Sequence, residues 1–245
     1  MKNKPIGIFD SGIGGLTVLK EIHNLLPNED LIYLGDTARV PYGIRSPETI
    51  KKYSLQCAEF LRKKGIKLLV VACNTSSSIS LEILRKKNDI PVIGVIEPGS
   101  KTALKTTKNN KIGVIGTEAT IQSKAYELTI KKLNSNAVVI SKACPLFVPM
   151  VEEGIFEGTI ANLIIERYLK ELKESEIDTL ILGCTHYPLL KKTIKKYMQN
   201  INLVDSAEES AKDVKKLLIE KNLLNDQKTK NTKIFYVTDS PDRFK

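Results

Sequence analysis

Cysteine is scarce in this 245-residue chain: Cys57, Cys73, Cys144 and Cys184 stand far apart, and no Cys-x-x-Cys occurs. That spacing suggests neither a disulfide framework nor a redox dithiol, and it leaves four free thiols. Histidine is scarcer still, with only His23 and His186, so the paired ligand spacings of a zinc site are missing and no metal is expected. Arginine is short too: of 38 basic residues, all but Arg39, Arg45, Arg62, Arg85, Arg167 and Arg243 are lysine. Lysine reads bases less well than arginine, and these lysines are scattered, so the formal charge of +10 is read as a solvated basic surface rather than a nucleic-acid interface. A positive field still favours encounter with a small acidic substrate. No apolar run approaches the roughly 20 residues of a membrane helix, and Met1 to Pro5 leads into a strand with no signal-peptide core. No membrane association is expected, and the default location is cytoplasmic.

What is present is a regular alternation of short apolar runs with amphipathic segments, the pattern of parallel sheets with crossover helices. Strands are expected at Ile6–Phe9, Leu31–Gly35, Leu68–Ala72, Val92–Ile96, Ile112–Ile115, Ala137–Ile140, Leu180–Gly183, Leu203–Asp205 and Ile234–Val237. A helix over Glu48–Lys64 carries Ile50, Tyr53, Cys57, Phe60 and Leu61 on one face, which makes Cys57 a core residue. Ser206-x-x-Glu209 reads as a capping box opening a helix through Val214, Leu217 and Leu218.

The chain also repeats itself. "IGIFDSG" at Ile6 returns as "IGVIGTE" at Ile112, "VVACNT" around Cys73 returns as "LILGCT" around Cys184, and "IPVIGVIEP" at Ile90 has a looser echo in "INLVDSAEE" at Ile201. Three segments in one order at nearly constant separation indicate an internal duplication. The fold class is therefore α/β: two similar lobes with parallel-rich sheets, related by a pseudo-two-fold, with an active site in the crevice between them. The first lobe is expected to take residues 1–97 and 206–245, and the second 98–205. The strand near Ile234 has no counterpart in the second copy, so the tail should return to the first lobe.

Reactive groups in parallel α/β sheets gather outside the carboxyl ends of the strands. Asp10, Asp36, Cys73 and Cys184 each follow an apolar run and so stand there. A lone strand-end cysteine is usually packing, but here it recurs at equivalent places, each followed by polar groups, Asn74-Thr75 and Thr185-His186. Two opposed thiols suit inversion of a carbon acid, in which one proton leaves one face and another arrives on the opposite face. A thiol with an ordinary pKa of about 8.5 can be tuned for either role. Gly12, Gly14 and Gly15 let the turn after the first strand run close to a ligand, and the helix N-terminus beyond favours an anion. As a dinucleotide fingerprint the segment fails, because no glycine closes the pattern after Gly15, and no lysine stands out for pyridoxal phosphate. No cofactor is expected. Cys144 before Pro145 reads as loop packing, and His23, in the helical stretch Leu16–Leu26, is given no role.

"IFDSGIGGLTV", "PYG", "VVACNTSS" and "LILGCTHYPLL", in this order from Ile6 to Leu190, resemble the motif set of the bacterial glutamate racemases. The resemblance implies cofactor-independent interconversion of L- and D-glutamate, supplying D-glutamate for peptidoglycan. Carried over by residue, Cys73 resembles the base acting on D-glutamate and Cys184 the base acting on L-glutamate. Asp10 and His186 resemble the side chains assisting the thiols, and Glu152 in "CPLFVPMVEEG" matches a further acidic assistant. Asp10-Ser11, Pro41-Tyr42-Gly43, Asn74-Thr75 and Thr185-His186 resemble the substrate-binding segments. Tyr42 could equally shape a turn. The alternatives are an aspartate racemase or related two-cysteine isomerase, a cysteine hydrolase using Cys184 and His186, and a non-catalytic binding protein. Aspartate racemases typically carry an acidic residue where His186 follows Thr185, which favours glutamate. Family members are often dimers, so a homodimer is implied. They also continue beyond "TDSPDRFK" into a further helix, which bears on stability and assembly more than on the site.

Overall fold

A computed structural model describes residues 1–225 and 231–241; residues 226–230 and 242–245, the end of the "TDSPDRFK" stretch, lie outside the described residues. The first part of the chain runs β1 (Ile6–Asp10), α1 (Leu16–Leu25), β2 (Leu31–Gly35), α2 (Pro47–Lys63), β3 (Leu68–Val71), α3 (Asn74–Lys87), β4 (Val92–Gly94) and α4 (Ile96–Thr106). It continues through β5 (Lys111–Gly116), α5 (Glu118–Gln122), α6 (Ala125–Leu133), β6 (Val138–Ala143), α7 (Phe147–Glu152) and α8 (Thr159–Glu174). The last described elements are β7 (Thr179–Gly183), α9 (Lys191–Met198), β8 (Asn202–Val204), α10 (Ala207–Glu220) and β9 (Lys233–Val237). Each strand expected from the sequence is present, with ends moved by at most three residues; the largest change is at β6, which runs on from Ile140 to Ala143.

The strands form two wholly parallel sheets, ordered β4-β3-β1-β2-β9 and β6-β5-β7-β8. Read from the other side, the second sheet is β8-β7-β5-β6, the same order as the first four strands of the first sheet. The duplication is therefore topological as well as sequential. Strand β9 is the addition: it pairs with β2, Ile32 opposite Ile234. Helix α10 packs on α1 and also on α4, which packs in turn on α6 and β7, so these two helices lie side by side between the layers of the two sheets.

Burial on both sheet faces explains the strand sequences. Along β1 every residue is buried: Ile6 and Ile8 face the layer of α1 and α10, with Val18, Ile22 and Val214, whereas Phe9 faces α2, with Cys57 and Leu61. A strand covered on both sides has no polar face to alternate with, so it reads as a continuous apolar run. Helix α2 begins one residue before its expected start because Ser46 caps it, its side chain accepting from Thr49 N at 3.3 Å, with Pro47 in the first turn.

One local expectation is overturned. Ser206 has helical backbone angles and makes no side-chain cap; Asp205 Oδ1 instead accepts from Ala207 N at 3.1 Å. Cys57 and Cys144 are buried core residues, as their positions suggested. His23 is half-buried on α1 and contacts Asn231 and Lys233.

Candidate active site

Three strand ends, those of β1, β3 and β7, meet where the lobes face each other. Asp10 closes β1 and is fully buried; its Oδ2 accepts from Gly12 N at 3.0 Å and its Oδ1 from the Thr185 hydroxyl of the opposite lobe at 3.2 Å. The loop that follows can approach Thr185 only because Gly14 has no side chain. A Cβ on Gly14 would lie 2.6 Å from Thr185 Oγ1 and 2.9 Å from the Thr185 carbonyl carbon. Gly43 makes the same kind of approach from another loop, where a Cβ would fall 2.4 Å from that of Thr117.

Cys73 follows β3 and serves as N-cap of α3, its Sγ accepting from Ser76 N at 3.5 Å and lying 3.6 Å from Ser11 Oγ. Burial pushes this thiol up to about 11, and the Asp10 charge adds to the rise; the Ser76 N–H and the Ser11 hydroxyl oppose it. Cys184 follows β7 and has different company, with its Sγ 3.8 Å from His186 Nδ1. The other ring nitrogen, Nε2, is 2.8 Å from Glu152 Oε1 on α7. Burial alone would lower His186, but contact with Cys184 and Glu152 outweighs it and raises the imidazole to about 10. The ring is then an imidazolium at neutral pH, donating from both nitrogens.

Both sulfurs line one small cavity of about 10 Å³, together with Ser11, Thr75, Thr185 and His186. Pro41, Tyr42, Gly43 and Asn74 complete much of its wall, with the Val40–Pro41 peptide cis. Asp10 and Glu152 stand one step behind, reaching the cavity through Thr185 and His186. The Tyr42 hydroxyl is turned away to Asp36 and lies 3.8 Å from Cys57 Sγ, so the cavity meets its ring and backbone rather than its oxygen. Among the described residues, no three His, Cys, Asp or Glu side chains converge as a metal site would require, and no helix is long and apolar enough to cross a membrane.

Residues 6–214 match the model of the Asp/Glu/hydantoin racemase family. The chain belongs to this family. The curated glutamate racemase of Aquifex aeolicus (strain VF5) is 59% identical over 210 residues, 86% of this chain and 82% of that protein. That of Geobacter metallireducens is 53% identical over 242 residues, covering 98% and 90% of the two chains. Among solved structures, the glutamate racemase of Francisella tularensis subsp. tularensis SCHU S4, in complex with D-glutamate, superposes with a TM-score of 0.94 at 45% identity, covering 100% of this chain and 91% of the other.

Within this racemase chain the structure adds residues that the sequence reading passed over. Thr117 and Thr120 belong to the second lobe, yet Thr75 Oγ1 of the first lies 2.9 and 3.2 Å from their hydroxyls, and the two are 2.9 Å apart. Thr117 also lines the cavity, as do Val40 and Val148. A signal for Thr117 did exist: in the internal repeat it occupies the place of Ser11. Thr120 and Tyr126 carry no such mark, since they enter from α5 and α6 only once the lobes are packed.

Proposed function

We propose that the protein is a cofactor-independent glutamate racemase working by proton transfer at Cα between two thiols. The observation that carries the reading is that Cys73 and Cys184, at matching strand ends of a duplicated fold, open onto one cavity from opposite lobes. With D-glutamate bound, Cys73 as thiolate takes the Cα proton and Cys184 as thiol delivers one to the other face, giving L-glutamate; the reverse reaction exchanges the roles. Each turnover leaves the two sulfurs with exchanged protonation, and a proton must pass back between them before the same enantiomer can react again.

Each thiol has help suited to its surroundings. The His186 imidazolium, held by Glu152, stands beside Cys184 as a counter-charge when that sulfur has given up its proton. Cys73 is kept in the thiol form by burial and by Asp10, and the Ser76 N–H and Ser11 hydroxyl are ready for the thiolate when it forms. Ser11, Asn74, Thr75 and Thr185 supply donors for the substrate carboxylates, and one donor aimed at developing negative charge is typically worth about 3 to 4 kcal/mol. Several are needed, because the Cα proton of an amino acid is a very weak acid.

A cavity of about 10 Å³ offers about the room of one water, so glutamate enters only when the lobes part. Opening breaks the contacts of Asp10 with Thr185 and of Thr75 with Thr117 and Thr120. In this reading the protein is cytoplasmic, forms homodimers and makes D-glutamate for peptidoglycan, as its motif resemblance implies; the names of its relatives speak for glutamate racemisation alone. The test is circular dichroism of D-glutamate incubated with the protein in D₂O without cofactor, with the Cα proton followed by NMR. Loss of ellipticity with deuterium at Cα is expected. An unchanged signal from folded protein overturns the reading, and faster turnover of aspartate overturns the choice of substrate.

A further inference from the structure

Asn74 sits between Cys73 and the opposite lobe, and its amide has two unlike ends: an oxygen that accepts and a nitrogen that donates twice. Only the nitrogen can hold a carboxylate. The oxygen is already committed, because Tyr126 Oη on α6 of the other lobe donates to Asn74 Oδ1 at 2.6 Å. Tyr126 is buried in turn, its ring and hydroxyl packed against Gly99 beside Ser206. Among the described residues no protein group accepts from Asn74 Nδ2, while Asn74 lines the cavity.

Resting on the racemase reading, we propose that Tyr126 is a positioning residue: it locks the Asn74 amide so that the nitrogen, not the oxygen, faces the substrate carboxylate. Without the phenol the two ends of the amide are close to equivalent in this cleft, and the flipped orientation would set a carbonyl oxygen against a carboxylate. The contact joins a residue of the second lobe to one of the first, so it is complete only when the lobes are closed. A donor that takes its orientation at closure favours substrate already enclosed over substrate at the open mouth.

The experiment is a double-mutant cycle with Tyr126→Phe and Asn74→Ala, read as kcat/KM by circular dichroism on whichever of D-glutamate and D-aspartate the wild-type protein racemises. The phenylalanine keeps the ring packed beside Gly99, and thermal melts confirm that each variant is folded. Tyr126→Phe should lower kcat/KM about five- to tenfold, the size of one hydrogen bond. In the Asn74→Ala background it should do nothing further. If Tyr126 merely supports packing, its effect multiplies with that of Asn74→Ala; either that outcome or wild-type kinetics in Tyr126→Phe overturns the proposal. Because the cycle uses the substrate the protein turns over, failure of the glutamate reading shows separately, in the wild-type control.

Discussion

Replacing Glu152 with glutamine removes the charge that holds His186 without removing the side chain. The carboxylate lies 2.8 Å from His186 Nε2, with the imidazole 2% and the carboxylate 36% exposed. A hydrogen bond to a charged group contributes about 1.5 to 3 kcal/mol, and the partial exposure of Glu152 argues for the lower end. About 1.5 kcal/mol is roughly one pKa unit, so His186 in the variant should titrate about a unit below its value near 10. The sign for stability follows from a raised folded-state value: the contribution is full below the ordinary 6.5 and is lost as pH rises through about 10. Urea unfolding should therefore find the variant weaker by about 1.5 kcal/mol at neutral pH, with the gap closing at strongly alkaline pH. The direct assay is an NMR titration of the ring protons. Partial burial and Lys233 lower His23, so the two histidines separate. An unmoved His186 titration in Glu152→Gln would refute the reasoning, because the carboxylate would then not be holding the imidazolium.

Cys73→Ser and Cys184→Ser should each lower racemisation by at least about 10²-fold, the usual worth of a positioned acid or base, with unchanged circular dichroism of the fold; normal turnover in either ends the two-base mechanism. Gly14→Ala pushes a methyl group against the backbone of Thr185, so a loss of about 1 to 3 kcal/mol is expected, together with a raised KM; an unchanged melting temperature contradicts the close approach. Glu29→Gln leaves buried Lys67 without its counter-charge and should cost about 3 to 5 kcal/mol in urea unfolding. Because that pair lies far from the thiols, its kcat should not change in protein that remains folded.

Strand positions were legible because double-sided burial leaves an unmistakable trace: "LLVV" and "LILG" tolerate nothing polar until the last residue. The same trace, ending twice in a cysteine, marked the thiols. Contacts made across the cleft were legible only where the repeat supplied a shadow, as with Thr117. Tyr126 lies in an ordinary amphipathic helix, and its value comes from Asn74, more than fifty positions away in the chain and on the other lobe. Ser206 shows the opposite failure: its local pattern was that of a cap, but its backbone is helical and the Asp205 carboxylate takes the Ala207 amide instead. His186 and Glu152 were placed by family likeness, and their pairing through Nε2 is geometry that no spacing rule contains.

The two lobes agree in strand order but not in what surrounds their sulfurs. Cys73 has a serine hydroxyl and a backbone amide, whereas Cys184 has an imidazole and a carboxylate behind it. Mirror-image amino acids have equal free energies in water, so a racemase must have the same kcat/KM in both directions, however lopsided its site. The unlike surroundings can therefore change only how each enantiomer divides that shared quantity between tight holding and fast turnover. An enantiomer that meets the better-prepared sulfur and turns over faster once bound must be held correspondingly more weakly.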